Sequence, residues 1–204
     1  MTYKTALVWR GLCGCSYKNF SIADVDFFVL DGRYFRENPL TTKNPTMLGE
    51  EQKKWLFKLI KSSSATFKII FTSVPFASKV SGKELSDDAC DGYPEEREEL
   101  YRFIGENNIS GVVFIAGDRH RADARKIKIP GNYDIYEFLN SRLTNDNGYR
   151  LVEEAEGSEY LFGYNALPHF GILAFDTKKE DPELTYRVVS MRDEDSPKGI
   201  AFVL

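Results

Sequence analysis

Three cysteines, Cys13, Cys15 and Cys90, are all that 204 residues carry, and so small and odd a number excludes a disulfide framework. Cys13-Gly-Cys15 has no second pair to complete a four-ligand zinc site, and reads as two ordinary thiols near a chain end, a metal clip or a strained pair. Histidines are fewer still, at two. No apolar run approaches 18 residues, so a membrane-spanning helix is not expected. The short patch Ala6–Trp9, with one early Lys before it, does not read as a signal peptide. Lys and Arg nowhere form a long block, and 27 basic against 31 acidic residues leave a net charge of −4. That argues against a general nucleic-acid or anionic-membrane surface while leaving room for a local phosphate site. A nucleophile elbow, a P-loop and a G-x-G-x-x-G turn are all missing, which removes the commonest hydrolase, nucleotide and dinucleotide readings.

What is present suits a soluble globular protein: 42% apolar, 14% aromatic and 28% charged residues can build a core. At about 150 residues per domain the length gives roughly 1.4, so one domain is expected. Asp24–Asp31 (DVDFFVLD) reads as a buried strand, and the Asn-Pro pairs at 38–39 and 44–45 mark a loop. Thr46 can cap a helix with Glu50 and Glu51 in its first turn and Leu48, Trp55, Leu56, Leu59 and Ile60 at helical spacing. Phe67–Val74 is a second strand, followed by a long polar loop, Ser78–Asp91. Pro94 opens a second helix, with Glu95 and Glu96 in its first turn and Leu100, Phe103 and Ile104 inside. Gly111–Ala116 is a third strand. Strand, helix, strand, helix, strand predicts parallel βαβ units. Beyond them, Tyr133–Leu139, Tyr160–Tyr164, Gly171–Phe175, Leu184–Val189 and Gly199–Leu204 read as short strands, for which antiparallel pairing is expected. The fold class is α/β, a parallel part running into an antiparallel part.

Ligand sites in open α/β sheets lie beyond the carboxyl ends of parallel strands. Three loops qualify: Asp31–Arg33, Ser73–Pro75 and Gly117–His120. The last joins a hard oxygen donor, Asp118, to an imidazole, His120, each suited to a divalent or trivalent metal. If the strand runs on regularly, residues two apart share a side. Both would then enter the cleft while Arg119 faces away or reaches round toward a phosphate, whose oxygens the flanking Arg119 and Arg121 can bind. The same residues also read as a strand-terminal Asp capping a turn beside a surface His. Asp31 and Arg33 read as an ion pair or as backbone-binding groups at the strand's exit. His169 reads as a loop histidine or one that begins a strand. The acidic stretch Asp87, Asp88, Asp91 and Glu95–Glu99 reads mainly as the solvated first turns of a helix.

Taken in order, Asp24–Arg36 (DVDFFVLDGRYFR), Thr46–Leu56 (TMLGEEQKKWL), Phe67–Pro75 (FKIIFTSVP), Asp91–Arg97 (DGYPEER), Gly117–His120 (GDRH), Tyr136–Ser141 (YEFLNS) and Phe170-Gly171 resemble the PhoD-like alkaline phosphatases, a family of metallophosphoesterases. The resemblance runs from about Ser16 onward, leaving 1–15 as an unmatched segment and 16–204 as the family's domain. It implies a two-sheet sandwich flanked by helices, hydrolysing phosphate mono- or diesters at a multinuclear metal centre. Iron and calcium are the metals it suggests, with manganese or zinc as substitutes. Such ions polarise the phosphoryl group and activate a bound water. Asp118 and His120 match the family's final metal-binding motif residue by residue.

The departures carry expectations of their own. The family places its earlier metal ligands in an N-terminal half that this chain lacks, and Cys90 stands where the family usually shows a Trp. Two ligands cannot hold a di- or trinuclear centre, since each metal takes four to eight donors. The chain therefore reads as the carboxyl-terminal part of such a phosphoesterase, truncated, fragmentary or degenerate. The alternative is a non-catalytic remnant or binding module of the same fold. Family members are often exported, but nothing in these residues fixes a compartment. A sheet missing its neighbours leaves an exposed edge, from which self-association is expected.

Overall fold

The computed structural model describes residues 17–80, 90–129, 134–144, 148–190 and 200–203. Cys13, Cys15, the unmatched first segment and the Asp87-Asp88 part of the acidic stretch lie outside them. Strands β1 (Lys18–Ile22) and β2 (Val25–Val29) form a hairpin, and α1 (Glu50–Ser62) leads to β3 (Phe67–Phe71). Helix α2 (Pro94–Glu106) precedes β4 (Val112–Ala116). Then come β5 (Ala122–Ile127), β6 (Ile135–Asn140), β7 (Ser158–Tyr164), β8 (His169–Asp176), β9 (Glu183–Ser190) and β10 (Ile200–Val203). One sheet has the order β1-β2-β3-β4-β6-β5-β7 and the other β10-β9-β8.

Parallel pairing joins β2 to β3, β3 to β4 and β4 to β6. The alternation of side chains along these strands divides the core in two. Phe28, Ile70, Val112 and Phe114 face Leu56 and Ile60 of α1 and Leu100 and Ile104 of α2. Val25, Phe67, Ile69, Val113 and Phe138 face Leu184, Tyr186 and Val188 of the short sheet. The strands are apolar on both faces because both faces are covered. Full burial of each such side chain stabilises the fold by about 1.5–3 kcal/mol.

The two helices lie where their spacing predicts them, with small changes at their starts. Gly49 rather than Thr46 is the N-cap of α1; the Thr46 hydroxyl accepts the Gly49 N–H at 2.8 Å, closing the turn before the helix. Glu96 is not on a solvated turn. It is buried, and its Oε2 accepts the N–H groups of Met47 and Leu48 at 2.8 and 3.2 Å. One acid of α2 thus ties down the approach to α1.

The carboxyl-terminal half departs further from its reading. The expected antiparallel pairing holds for β5 with β6 and β7, and for β8 with β9 and β10. On its other side, however, β6 pairs parallel with β4, which extends the parallel part to four strands. Strands β1 and β5 lack an apolar stripe and are not legible from pattern. In β5 the face that should be apolar carries Asp123 and Arg125, both fully buried.

Gly111 lets β3 and β4 come together. Its φ is +69°, and a Cβ there would stand 1.9 Å from the Thr66 carbonyl oxygen, beside the 2.7 Å hydrogen bond from Lys68 N–H to the Gly111 carbonyl. Gly111→Ala is expected to cost roughly 3 kcal/mol through backbone strain and collision. Urea denaturation checks this: the midpoint should fall with the slope unchanged.

Candidate functional site

The exits of three of the four parallel strands, β2, β3 and β4, meet at Ser73. A Cβ on Gly32, just beyond β2, would lie 2.9 Å from Ser73 Oγ, and one on Gly117, just beyond β4, 3.7 Å from the Ser73 carbonyl oxygen. Asp31 is buried at this rim, and its Oδ1 accepts the N–H groups of Arg33 and Tyr34 at 2.9 and 3.0 Å. That is the backbone-binding role open to it from sequence. Gln52 of α1 grips the same residue, accepting the Asp31 N–H and donating to its carbonyl.

Gly117–His120 does not continue the strand. Strand β4 ends at Ala116, and Asp118 and His120 have φ of +74° and +46°, the left-handed region that Asp and His tolerate better than most residues. The rule that residues two apart share a side therefore does not apply here. The outcome inverts part of the expectation: Arg119 is buried and Asp118 is exposed. Arg119 Nε lies 3.5 Å from Asp118 Oδ2. The bent backbone is held from the next parallel strand. The His120 N–H donates to Ser141 Oγ at 2.7 Å, just beyond β6. The His120 ring stacks on Tyr149 at 5.1 Å and 19°, and its carbonyl accepts the Tyr149 N–H at 3.4 Å. Positive φ at two residues of three is strain that persists only where the surroundings fix it.

The donor types, a carboxylate and an imidazole, suit a metal ion. Their number does not complete a shell, since no group of three or more His, Cys, Asp or Glu able to hold an ion occurs among the described residues. His169 begins β8, one of its two foreseen places. It is buried, its Nδ1 lies 2.8 Å from the Leu167 carbonyl, and its ring meets Tyr164 edge-on. Burial lowers its pKa, so it is a core histidine.

Behind the rim lies a cluster of which sequence reading named only Arg121, as a phosphate contact, whereas the structure buries it against Asp123 and the Val80 carbonyl. Arg121, Asp123 and Arg125, together with Glu137 of β6, are each at most 1% exposed. Arg121 Nε donates to Asp123 Oδ2 at 2.8 Å, and its Nη2 to the Val80 carbonyl at 2.9 Å. Asp123 Oδ1 and Arg125 Nε face each other at 3.7 Å. Arg125 also reaches the Val152 carbonyl and stands over the Tyr160 ring. Glu137 accepts the Phe76 N–H at 2.5 Å and the Ala77 N–H at 3.2 Å. Arg121 and Glu137 thus pin the segment after β3 onto the sheet. The available signal was the alternation of alanine with opposite charges from Arg121 to Arg125.

The family model described as PhoD-like phosphatase matches residues 13–181. The chain belongs to the PhoD-like phosphatase family. It is 32% identical to alkaline phosphatase D of Bacillus subtilis (strain 168) over 130 residues, covering 55% of this chain and 22% of that protein. It is also similar to a solved structure of PhoD, with a TM-score of 0.66 and 24% identity, covering 92% of this chain and 41% of the other. The chain thus spans about a fifth and two fifths of the lengths of these relatives.

Burial raises the Glu137 carboxyl to about 7, more than its backbone hydrogen bonds and Arg125 lower it. A carboxyl that ionises near 4.5 unfolded and near 7 folded binds more protons in the folded state between those values. Its contribution is therefore full below about pH 4.5 and is lost as pH rises through 7, on the order of 3 kcal/mol. Glu137→Gln should flatten the fall in stability between pH 5 and 7.5 relative to wild type. Urea denaturation at both pH values reads this difference.

Proposed function

We propose that this chain forms part of a phosphoric ester hydrolase, of alkaline phosphatase or phosphodiesterase type, and contributes Asp118 and His120 as ligands to its metal site. The observation that carries this reading is the bent tip after β4. Two donors of the right chemistry are held in left-handed backbone at the carboxyl end of a central parallel strand. Ser141, Tyr149 and Arg119 brace them. Membership of the PhoD-like phosphatases supports the same chemistry.

In this reading the remaining ligands of a multinuclear centre come from outside the described residues. When bound, ions such as iron, calcium, manganese or zinc act as Lewis acids on a phosphate mono- or diester. Arg119, buried against Asp118, orients that carboxylate and adds positive charge beside the place a phosphate would take. The shortage of donors among the described residues favours a second reading, a non-catalytic module of the same fold.

Titration calorimetry with manganese or zinc tests the ligand assignment. Wild type should bind with a dissociation constant on the order of millimolar, because two donors supply a fraction of a shell. Asp118→Asn and His120→Gln should each weaken binding by about tenfold or abolish it. Identical binding by all three proteins would refute the assignment. Hydrolysis of p-nitrophenyl phosphate by the chain alone, with the same metals added, should be weak or absent. Turnover that His120→Ala removes would favour the hydrolase over the module and show that the chain's own donors suffice.

A further inference from the structure

The segment that brings Tyr149 to the His120 ring is held by a clamp built from three strand ends. Arg142 lies just beyond β6, Asn165 directly follows β7, and His169 opens β8. The Arg142 guanidinium donates through Nη1 to the Asn165 carbonyl. The Arg142 carbonyl accepts the His169 N–H at 3.1 Å. Arg142 has a φ of +89°, a conformation that persists only where the surroundings fix it. These two bonds fix it. Asn165 then reaches the other way, donating through Nδ2 to the Tyr149 carbonyl at 2.9 Å. Gly148 passes between the two side chains. A Cβ there would stand 2.5 Å from Arg142 Nη1 and 2.8 Å from the Asn165 carbonyl oxygen. The second neighbour is backbone and cannot swing aside, so the close passage requires glycine.

We propose that the Arg142–Asn165 clamp positions the His120 imidazole, acting through Tyr149. The inference rests on the reading of His120 as a metal ligand and adds the residues that aim its ring. Tyr149 meets His120 twice. Its N–H donates to the His120 carbonyl at 3.4 Å, and its ring lies on the imidazole at 5.1 Å and 19°. Ser141 holds the His120 N–H at 2.7 Å, which fixes the backbone but leaves the side chain free to turn. A nearly parallel aromatic ring is a flat wall that restricts this turning. The two imidazole nitrogens are distinct, and which of them faces an ion depends on the ring's rotation. A ring already held in place also loses less freedom when it binds. The wall works only if it is itself fixed, and Asn165 and Arg142 fix it from the ends of β7 and β6. Arg142, Asn165 and Tyr149 are therefore positioning residues.

Proton NMR of the full chain without metal reads the ring directly. The chain has two histidines, and His120→Gln shows which signals belong to His120. Protons held over an aromatic face resonate upfield, so the His120 ring should lie upfield of a free histidine. Tyr149→Leu should abolish that shift, and Tyr149→Phe should keep it. Asn165→Ala, which removes the Nδ2 donor, should move the signal toward the free position. Calorimetry with manganese supplies the second readout. Tyr149→Leu and Asn165→Ala should each weaken binding about three- to tenfold, while Tyr149→Phe stays within about twofold of wild type. Thermal melts confirm that each variant is folded. Tyr149 is 53% exposed, so its replacement leaves the core intact and decides the matter if Asn165→Ala does not fold. Three outcomes would overturn the proposal: an unshifted His120 in wild type, a shift that survives Tyr149→Leu, or wild-type manganese affinity in Tyr149→Leu. A shift that responds as expected in a chain that binds no manganese would uphold the clamp and refute the ligand assignment instead.

Discussion

Four parallel strands covered on both faces are the constraint from which the rest of the structure follows. Parallel strands need long crossover connections, and here α1 and α2 supply them on one face of β2, β3 and β4. Backbone groups inside such a layer must bond to one another, so the register of Val25 with Phe67, Ile69 with Val113 and Val113 with Tyr136 is fixed by hydrogen bonding and burial together. Once the strands run in one direction, their carboxyl ends must lie along one rim. Asp31, Ser73, Asp118 and Ser141 are neighbours along it for that reason alone.

The rim is held mainly by polar groups, and most of them act on backbone. Asp31 caps its own turn, Ser141 accepts the His120 N–H, and Glu137 accepts two N–H groups from the segment beyond β3. Burying Arg121, Asp123, Arg125 and Glu137 costs desolvation that their pairing only partly offsets. What the cluster contributes is position: it ties the segment beyond β3 to β6 and to the start of β5. A core of aliphatic residues at these positions would offer nothing to the Phe76 and Ala77 N–H groups or to the Val80 carbonyl.

In the proposed reading the tip after β4 supplies only part of a metal centre. Asp118 and His120 are held by Arg119, Ser141 and Tyr149, and no group of three or more His, Cys, Asp or Glu able to hold an ion occurs among the described residues.

Sequence alone determined the βαβ core, both helices and the loops that reach the rim, because apolar periodicity reports burial directly. Pro94 at the first turn of α2 and the dense runs of β2, β3 and β4 are local signals that tertiary packing had no reason to overrule. It also singled out Asp118 and His120, since short motifs keep their residue types whatever the backbone does between them. Four things were decided only in three dimensions. Strand β5 is invisible to periodicity because its buried face is charged, and charge reads as surface until its partners are known. The parallel contact of β6 with β4 depends on which edge was free, a property of the whole sheet. The direction of Arg119 turned on two positive φ angles, which sequence allows at Asp and His but does not impose. Glu96 looked solvated because the backbone it caps lies 48 and 49 residues away in the chain, a separation that only folding closes.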